Sequence, residues 1–165
     1  MADRPKVRVK KDILVYFFES IAFLSVVVTW FWIFVHYKEL PETVPIHFDL
    51  SGNPDGYGTK DLLLGVPFIS TSIVVIMFLL ARHPHIHNYS VPITEENAER
   101  QYRNSMYLVA SLSALIGSFF AYLAYKIVIM ALNPGSGIPG ISLLLFLILI
   151  TALTFYFLIR SKMIR

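Results

Sequence analysis

The chain has no cysteine among its 165 residues, which excludes disulfides, thiol nucleophiles and thiolate metal sites. It is also short of charge. Only 15% of its residues are Asp, Glu, Lys or Arg, against about 25% in soluble domains. It holds no GxSxG or HExxH sequence, and no plausible Ser–His–Asp set, so an enzyme is not expected. It lacks an internal repeat. Basic residues stand at the ends of apolar runs, not among exposed aromatics, so nucleic acid is not an expected partner. No cofactor is implied.

What is present is apolar length. Hydrophobic residues make up 56% of the chain, and they gather into four runs of about 13–36, 62–82, 105–132 and 141–159. The first apolar stretch, Ile13 to Val35, would extend ~35 Å as a helix, enough for a bilayer core of about 30 Å. It exceeds the ~7–15-residue core of a signal peptide and no small-x-small cleavage site follows it, so it is read as a span. Trp30, Trp32, His36 and Tyr37 gather at its far end, where amphipathic rings suit the headgroup region. Pro67 opens the second span, with Ser70, Thr71 and Ser72 near to bond a freed carbonyl. Thr94 is a good N-cap for a helix that begins in water, carries Glu96/Arg100 and Glu99/Arg103 pairs, and runs on into the third span. There Ala110, Ala114, Gly117, Ala121 and Ala124 form a small-residue stripe, the expected packing seam.

The fold expected is therefore all-α: a polytopic membrane protein in one domain, 1–165, with four transmembrane helices in a bundle and a short ordered loop outside the cell. Lys and Arg counts orient it. Five precede the first span, three lie in the 82–104 segment and three follow the last span, against Lys38 and Lys60 on the other side. That asymmetry predicts a multi-pass protein of the cell membrane with both termini cytoplasmic, loop 38–61 outside and loop 83–104 inside.

Loop 38–61 carries the candidate site. In LPETVPIHFDLSGNPDGYGTK (residues 40–60) the potential ligand groups His47, Asp49, Asn53, Asp55 and Lys60 lie close together. Val44, Ile46, Phe48 and Leu50 alternate with Thr43, Pro45, His47 and Asp49, which predicts an extended segment with its apolar side on the bundle. SGNPDG is a dense turn signal that can fold Asn53 and Asp55 back toward His47 and Asp49. One reading is an outer site for a cation or polar ligand, the metal version resting on His47, Asp49 and Asp55. The spacing of Asp49, Ser51, Asn53 and Asp55 matches part of a calcium loop, but Pro54 stands where glycine is needed and Lys60 where the last carboxylate belongs. The other readings are a self-capped Asx turn that locks a compact lid, and recognition of an extracytoplasmic peptide or protein.

Two further clusters carry possible chemistry. His83, His85 and His87 can share a metal if extended, or form a solvated interfacial turn. Glu19, ~10 Å into the first span by helical rise, is either a functional intramembrane carboxylate or a partner for Arg103. Ser25, Thr29, Trp32 and His36 share one stripe of the same helix and are candidates to bond across the bundle.

The 40–60 segment closely resembles the signature of the domain-of-unknown-function-1648 family, an LPxxIPxHFNxxGxPDxxGSK-like motif after the first span. Leu40, Pro41, Pro45, His47, Phe48, Gly52, Pro54, Asp55, Gly58 and Lys60 stand at matching positions, with Asp49 for Asn and Thr59 for Ser. The segment NYSVPITEENAERQYR (88–103) is similar to the family's inner loop. The resemblance relates the chain to SdpI-type immunity proteins, longer membrane proteins that protect bacteria from a secreted toxin and hold a repressor at the membrane. The function expected is non-enzymatic binding or sensing at the outer face, with immunity-type or signalling output and a cytoplasmic regulator as the partner at 82–104. Two alternatives stand beside it: a small ion-coupled transporter acting as a homo-oligomer around Glu19, and a metal-dependent membrane hydrolase.

Overall fold

A computed structural model describes residues 4–49, 51–133 and 136–164. Four α-helices and one β-hairpin follow in the order α1 (Ile13–His36), β1 (Thr43–Phe48), β2 (Pro54–Thr59), α2 (Gly65–Ala81), α3 (Ala98–Leu132) and α4 (Ile141–Met163). All four helical segments are long and apolar enough to cross a membrane. The hairpin and the α3–α4 connection lie at one end of the bundle, the hairpin side. The segment leading into α1, the end of α4 and the α2–α3 connection lie at the other, the terminal side. Large apolar side chains such as Phe34, Phe31 and Leu24 are exposed all along the helices, which suits contact with lipid and not water.

Helix α1 starts where Asp12 accepts hydrogen bonds from the Leu14 and Val15 amides, at 3.1 and 3.2 Å. The second Asp12 oxygen accepts from the Tyr107 hydroxyl, which ties the start of α1 to α3. The helix packs most extensively on α3, along the small-residue stripe. Ala110, Ala114, Gly117 and Ala124 are buried, and a Cβ on Gly117 would stand 3.3 Å from the Ala22 carbonyl oxygen. Small side chains let these two backbones approach. Of the α1 polar stripe, Ser25 reaches across to Ser118 at 3.2 Å. Thr29 and His36 bond back to their own helix at Ser25 O and Trp32 O.

Pro67 needs no rescue. It falls in the first turn of α2, after a 3-10 turn over Lys60–Leu64, where a missing N–H costs little. Thr71 donates to Pro67 O at 2.6 Å and also spans the gap to α1, accepting from the Trp30 indole at 3.0 Å. Thr94 is not the N-cap of α3, which begins at Ala98 after Asn97; its hydroxyl accepts from Asn97 N while Asn97 Oδ1 accepts from Thr94 N, closing the turn that leads into the helix. The 35 residues of α3 rise ~52 Å, longer than a bilayer core of about 30 Å, so its first turns project beyond it. Helix α4 is peripheral, and nearly all of its apolar length is left uncovered by the rest of the protein. It is pinned at the terminal side, where Gln101 donates to Ser161 O at 2.8 Å, Ser161 donates back to Gln101 Oε1, and Asn104 donates to Phe157 O.

The HxHxH segment is less solvated than the sequence implies. His87 is half-buried between α2 and α3: its Nε2 lies 2.9 Å from the Leu80 carbonyl and its Nδ1 meets the Ser105 hydroxyl. The carbonyls of His85 and His87 also accept from Arg4. The Leu80 contact requires a proton on Nε2, so neutral His87 accepts from Ser105 through Nδ1. Burial holds its pKa below the ordinary value. The neutral form is thus favoured by folding, and the stability it contributes is present above about pH 6.5 and lost as pH falls below it. Lowering pH from 7.5 to 5.5 should therefore reduce the melting temperature of the wild type more than that of His87→Gln. Equal reductions would remove this role.

Candidate functional site

The 40–60 segment is a hairpin pressed onto the bundle. Strand β1 reads as extended from its alternation, but β2, PDGYGT, carries no strand pattern of its own and forms by pairing with β1. The strands run antiparallel with Thr43 opposite Thr59, Val44 opposite Gly58 and Pro45 opposite Tyr57. The pairing then slips around Ile46, and His47 faces Gly56. This irregularity breaks the expected alternation. Val44 and Pro45 are both buried, whereas Ile46 is 43% exposed. Leu50 lies outside the described residues.

Val44 anchors the hairpin, fully buried with Ile33, Leu40, Leu63, Ala124, Ile127 and Val128. Two polar ties reinforce it. Lys60 donates to Glu42 Oε1 at 2.8 Å, with its backbone N–H on Glu42 O at 3.0 Å, and its ammonium lies 5.5 Å from the Tyr37 ring centroid. Across the tip, Ile138 N–H donates to Gly52 O at 3.2 Å, which clips the hairpin to the α3–α4 connection. Gly52 has φ +86°, a conformation open mainly to glycine.

The five candidate residues therefore resolve into separate pairs. Asp49 accepts from Asn53 N at 2.8 Å and from Asn53 Nδ2 at 3.3 Å, an Asx turn closed on itself. The Asn53 amide holds the Asp49 carboxyl below the usual carboxylate range. His47 Nδ1 meets Asp55 Oδ1 at 2.5 Å on the exposed face. Lys60 turns away to Glu42, whose role no spacing in the sequence signals. Among the described residues no three His, Asp or Glu side chains gather to hold a metal, which includes His47, Asp49 and Asp55 as well as the HxHxH segment.

Glu19 is 7% exposed and its partner is Lys11, not Arg103. The Lys11 ammonium reaches it from before the helix while lying 4.7 Å from the Phe78 ring centroid. Arg103 instead pairs with Glu99 at 2.6 Å and lies 4.0 Å from Asp12. The helix-spaced Glu99/Arg103 pair was legible. The Lys11–Glu19 pair was not, because Lys11 precedes the helix and its direction depends on the chain's path there.

Beside the hairpin lies a cleft of about 370 Å³. Pro41, Pro45, Pro54 and Tyr57 form its hairpin wall, and Met130 and Ala131 of α3 face them. Tyr57 is 61% exposed, although its neighbours fasten the hairpin down. Sequence reasoning passed over Tyr57 because it is not a ligating residue; its placement opposite Pro45 appears only with the strand register.

Four membrane-length helices under a clipped hairpin make this a multi-pass membrane protein. Its residues 24–71, which run from within α1 through the hairpin into α2 and contain the 40–60 motif, match the family described as "Domain of unknown function (DUF1648)". The chain is also similar to an uncharacterized protein of Archaeoglobus fulgidus, 26% identical over 155 residues, covering 86% of this chain and 84% of that one. No solved structure matches.

Proposed function

We propose that this protein binds an extended peptide segment at its outer face, in the cleft between the hairpin and the end of α3. The supporting observation is Tyr57, exposed in a fixed wall of prolines opposite Met130 and Ala131. Preorganised apolar walls bind a chain without ordering themselves, and tyrosine contributes disproportionately at such contacts. Thr43 and Asn53 line the same cleft and offer polar groups to a peptide backbone. Under the charge asymmetry of the loops the hairpin faces outward and the 82–104 segment faces the cytoplasm. That arrangement suits signalling or immunity-type output through a regulator held at the inner loop.

Neither alternative gains support from the same geometry. A carrier needs a carboxylate free to change partners, and Glu19 is held by Lys11. A metal hydrolase needs a cluster that His47, Asp49 and Asp55 do not form.

The test uses the protein in nanodiscs, panned against a library of extended decapeptides. Enriched peptides should bind about tenfold more weakly to Tyr57→Ala, the loss of ~1.4 kcal/mol typical of a central contact. No enrichment over empty nanodiscs, or equal binding by Tyr57→Ala, would remove the proposal. Sidedness has its own control: a cysteine replacing exposed Ser51 should react with an impermeant maleimide on intact cells.

A further inference from the structure

Helix α4 contacts chiefly α3, which leaves a groove on its side toward α1. Near the terminal side it opens into a cleft of about 360 Å³ lined by Arg100, Arg103, Tyr107, Arg160, Ile164 and Glu99. Deeper in the bundle, a second cleft of about 340 Å³ is lined by Phe18, Ile21, Ala114, Leu115, Leu149 and Leu153. The two share one face. On α3, positions 103, 107, 111, 114 and 118 follow steps of four and three, and on α4 positions 160, 153 and 149 follow steps of seven and four. On each helix the guanidinium level and the apolar level are ~16 Å apart along the axis. Arg103 and Arg160 stand together at this cleft, with Glu99 paired to Arg103. Asp12 stands 4.0 Å from Arg103. Arg160 lies over the Tyr107 ring at 5.5 Å and, among the described residues, forms no ion pair with a carboxylate.

We infer that this groove is a binding site for one anionic phospholipid from the leaflet on the terminal side. The phosphate meets Arg160 and Arg103 at the mouth, where guanidinium geometry matches phosphate oxygens. One acyl chain follows the apolar wall upward between α1, α3 and α4. The apolar continuation distinguishes a lipid from a free anion, which would need only the mouth. A second copy of the chain is a poorer occupant, because a self-complementary contact would bring Arg160 and Arg103 against the same two residues. The bound lipid would fill the space that leaves α4 in contact chiefly with α3, and so couple α4 to α1.

Native mass spectrometry of the detergent-released protein decides this. Phosphatidylglycerol should be retained about fivefold more than phosphatidylcholine with the same chains, the contribution of about one surface cation. Arg160→Gln should abolish that preference. Leu153→Trp, which fills the apolar groove and leaves the arginines in place, should reduce retention of both lipids. Equal retention of the two lipids by the wild type would overturn the site. If glycerol phosphate alone raises the melting temperature as much as phosphatidylglycerol does, the cleft is a soluble-anion site and the lipid assignment fails. Retention unchanged in Leu153→Trp would equally overturn the acyl-chain placement.

Discussion

Gly52→Ala should release the hairpin from the bundle. A Cβ at position 52 would stand 1.7 Å from the Ile138 carbonyl oxygen and 2.8 Å from its carbon. Those are backbone atoms, so no rotamer change relieves the clash. The φ of +86° adds strain of about 1–3 kcal/mol for any residue with a side chain. Relief requires the 136–140 segment to move, and with it goes the Ile138 N–H bond to Gly52 O. The readout is a cysteine replacing Val44, which is fully buried beneath the hairpin. Its reaction with a thiol reagent should accelerate at least about tenfold in the Gly52→Ala background, corresponding to ~1.4 kcal/mol of lost docking. Gly65→Ala is the matched control. A Cβ there meets nothing within 4 Å, and removing backbone freedom at a compatible site stabilises by about 0.4–1 kcal/mol. Equal labelling rates in the two backgrounds would show that the clip does not hold the lid.

The membrane architecture is legible in the sequence because it depends on summed hydropathy and on repeating steps along single helices. The small-residue stripe of α3 and the Glu99/Arg103 pair are local in this sense, and Thr94 misses the helix start by only one turn. The site is legible only in outline. The SGNPDG turn signals the self-closed Asp49–Asn53 contact, since both members lie within four residues. What escapes is every contact set by tertiary path: Lys60 to Glu42, Gly52 to Ile138, His87 between Leu80 and Ser105. Strand β2 escapes for a related reason. Its glycines and proline discourage a strand, and it forms because β1 is already held by Val44 in the apolar layer between α1 and α3. The irregular pairing around Ile46 then moves one apolar side chain outward, which no alternation pattern anticipates.

Lys11→Met should cost about 3–5 kcal/mol, more than Glu19→Gln, although both break the same ion pair. The asymmetry follows from depth. Glu19 lies inside α1 and is 7% exposed, so removing its cation strands a carboxylate in an apolar layer. Lys11 precedes the helix and is carried on a long flexible stem, and its ammonium also lies near the Phe78 and Tyr16 rings. When Glu19 becomes neutral, the lysine can turn toward the headgroups and recover hydration. The double variant, Lys11→Met with Glu19→Gln, should regain most of the loss, because two neutral side chains leave no buried charge. Unfolding of all four proteins in a mild-detergent titration supplies the cycle. Additive losses, or a Lys11→Met cost no greater than that of Glu19→Gln, would mean that the pair is hydrated and weak. The same series separates structure from transport: a carrier built on Glu19 would lose activity in the stable Glu19→Gln protein, whereas a binding protein whose site is the hairpin cleft keeps its peptide affinity there. Glu19 then acts by fixing Lys11, and through it the approach of the N-terminal segment to α1.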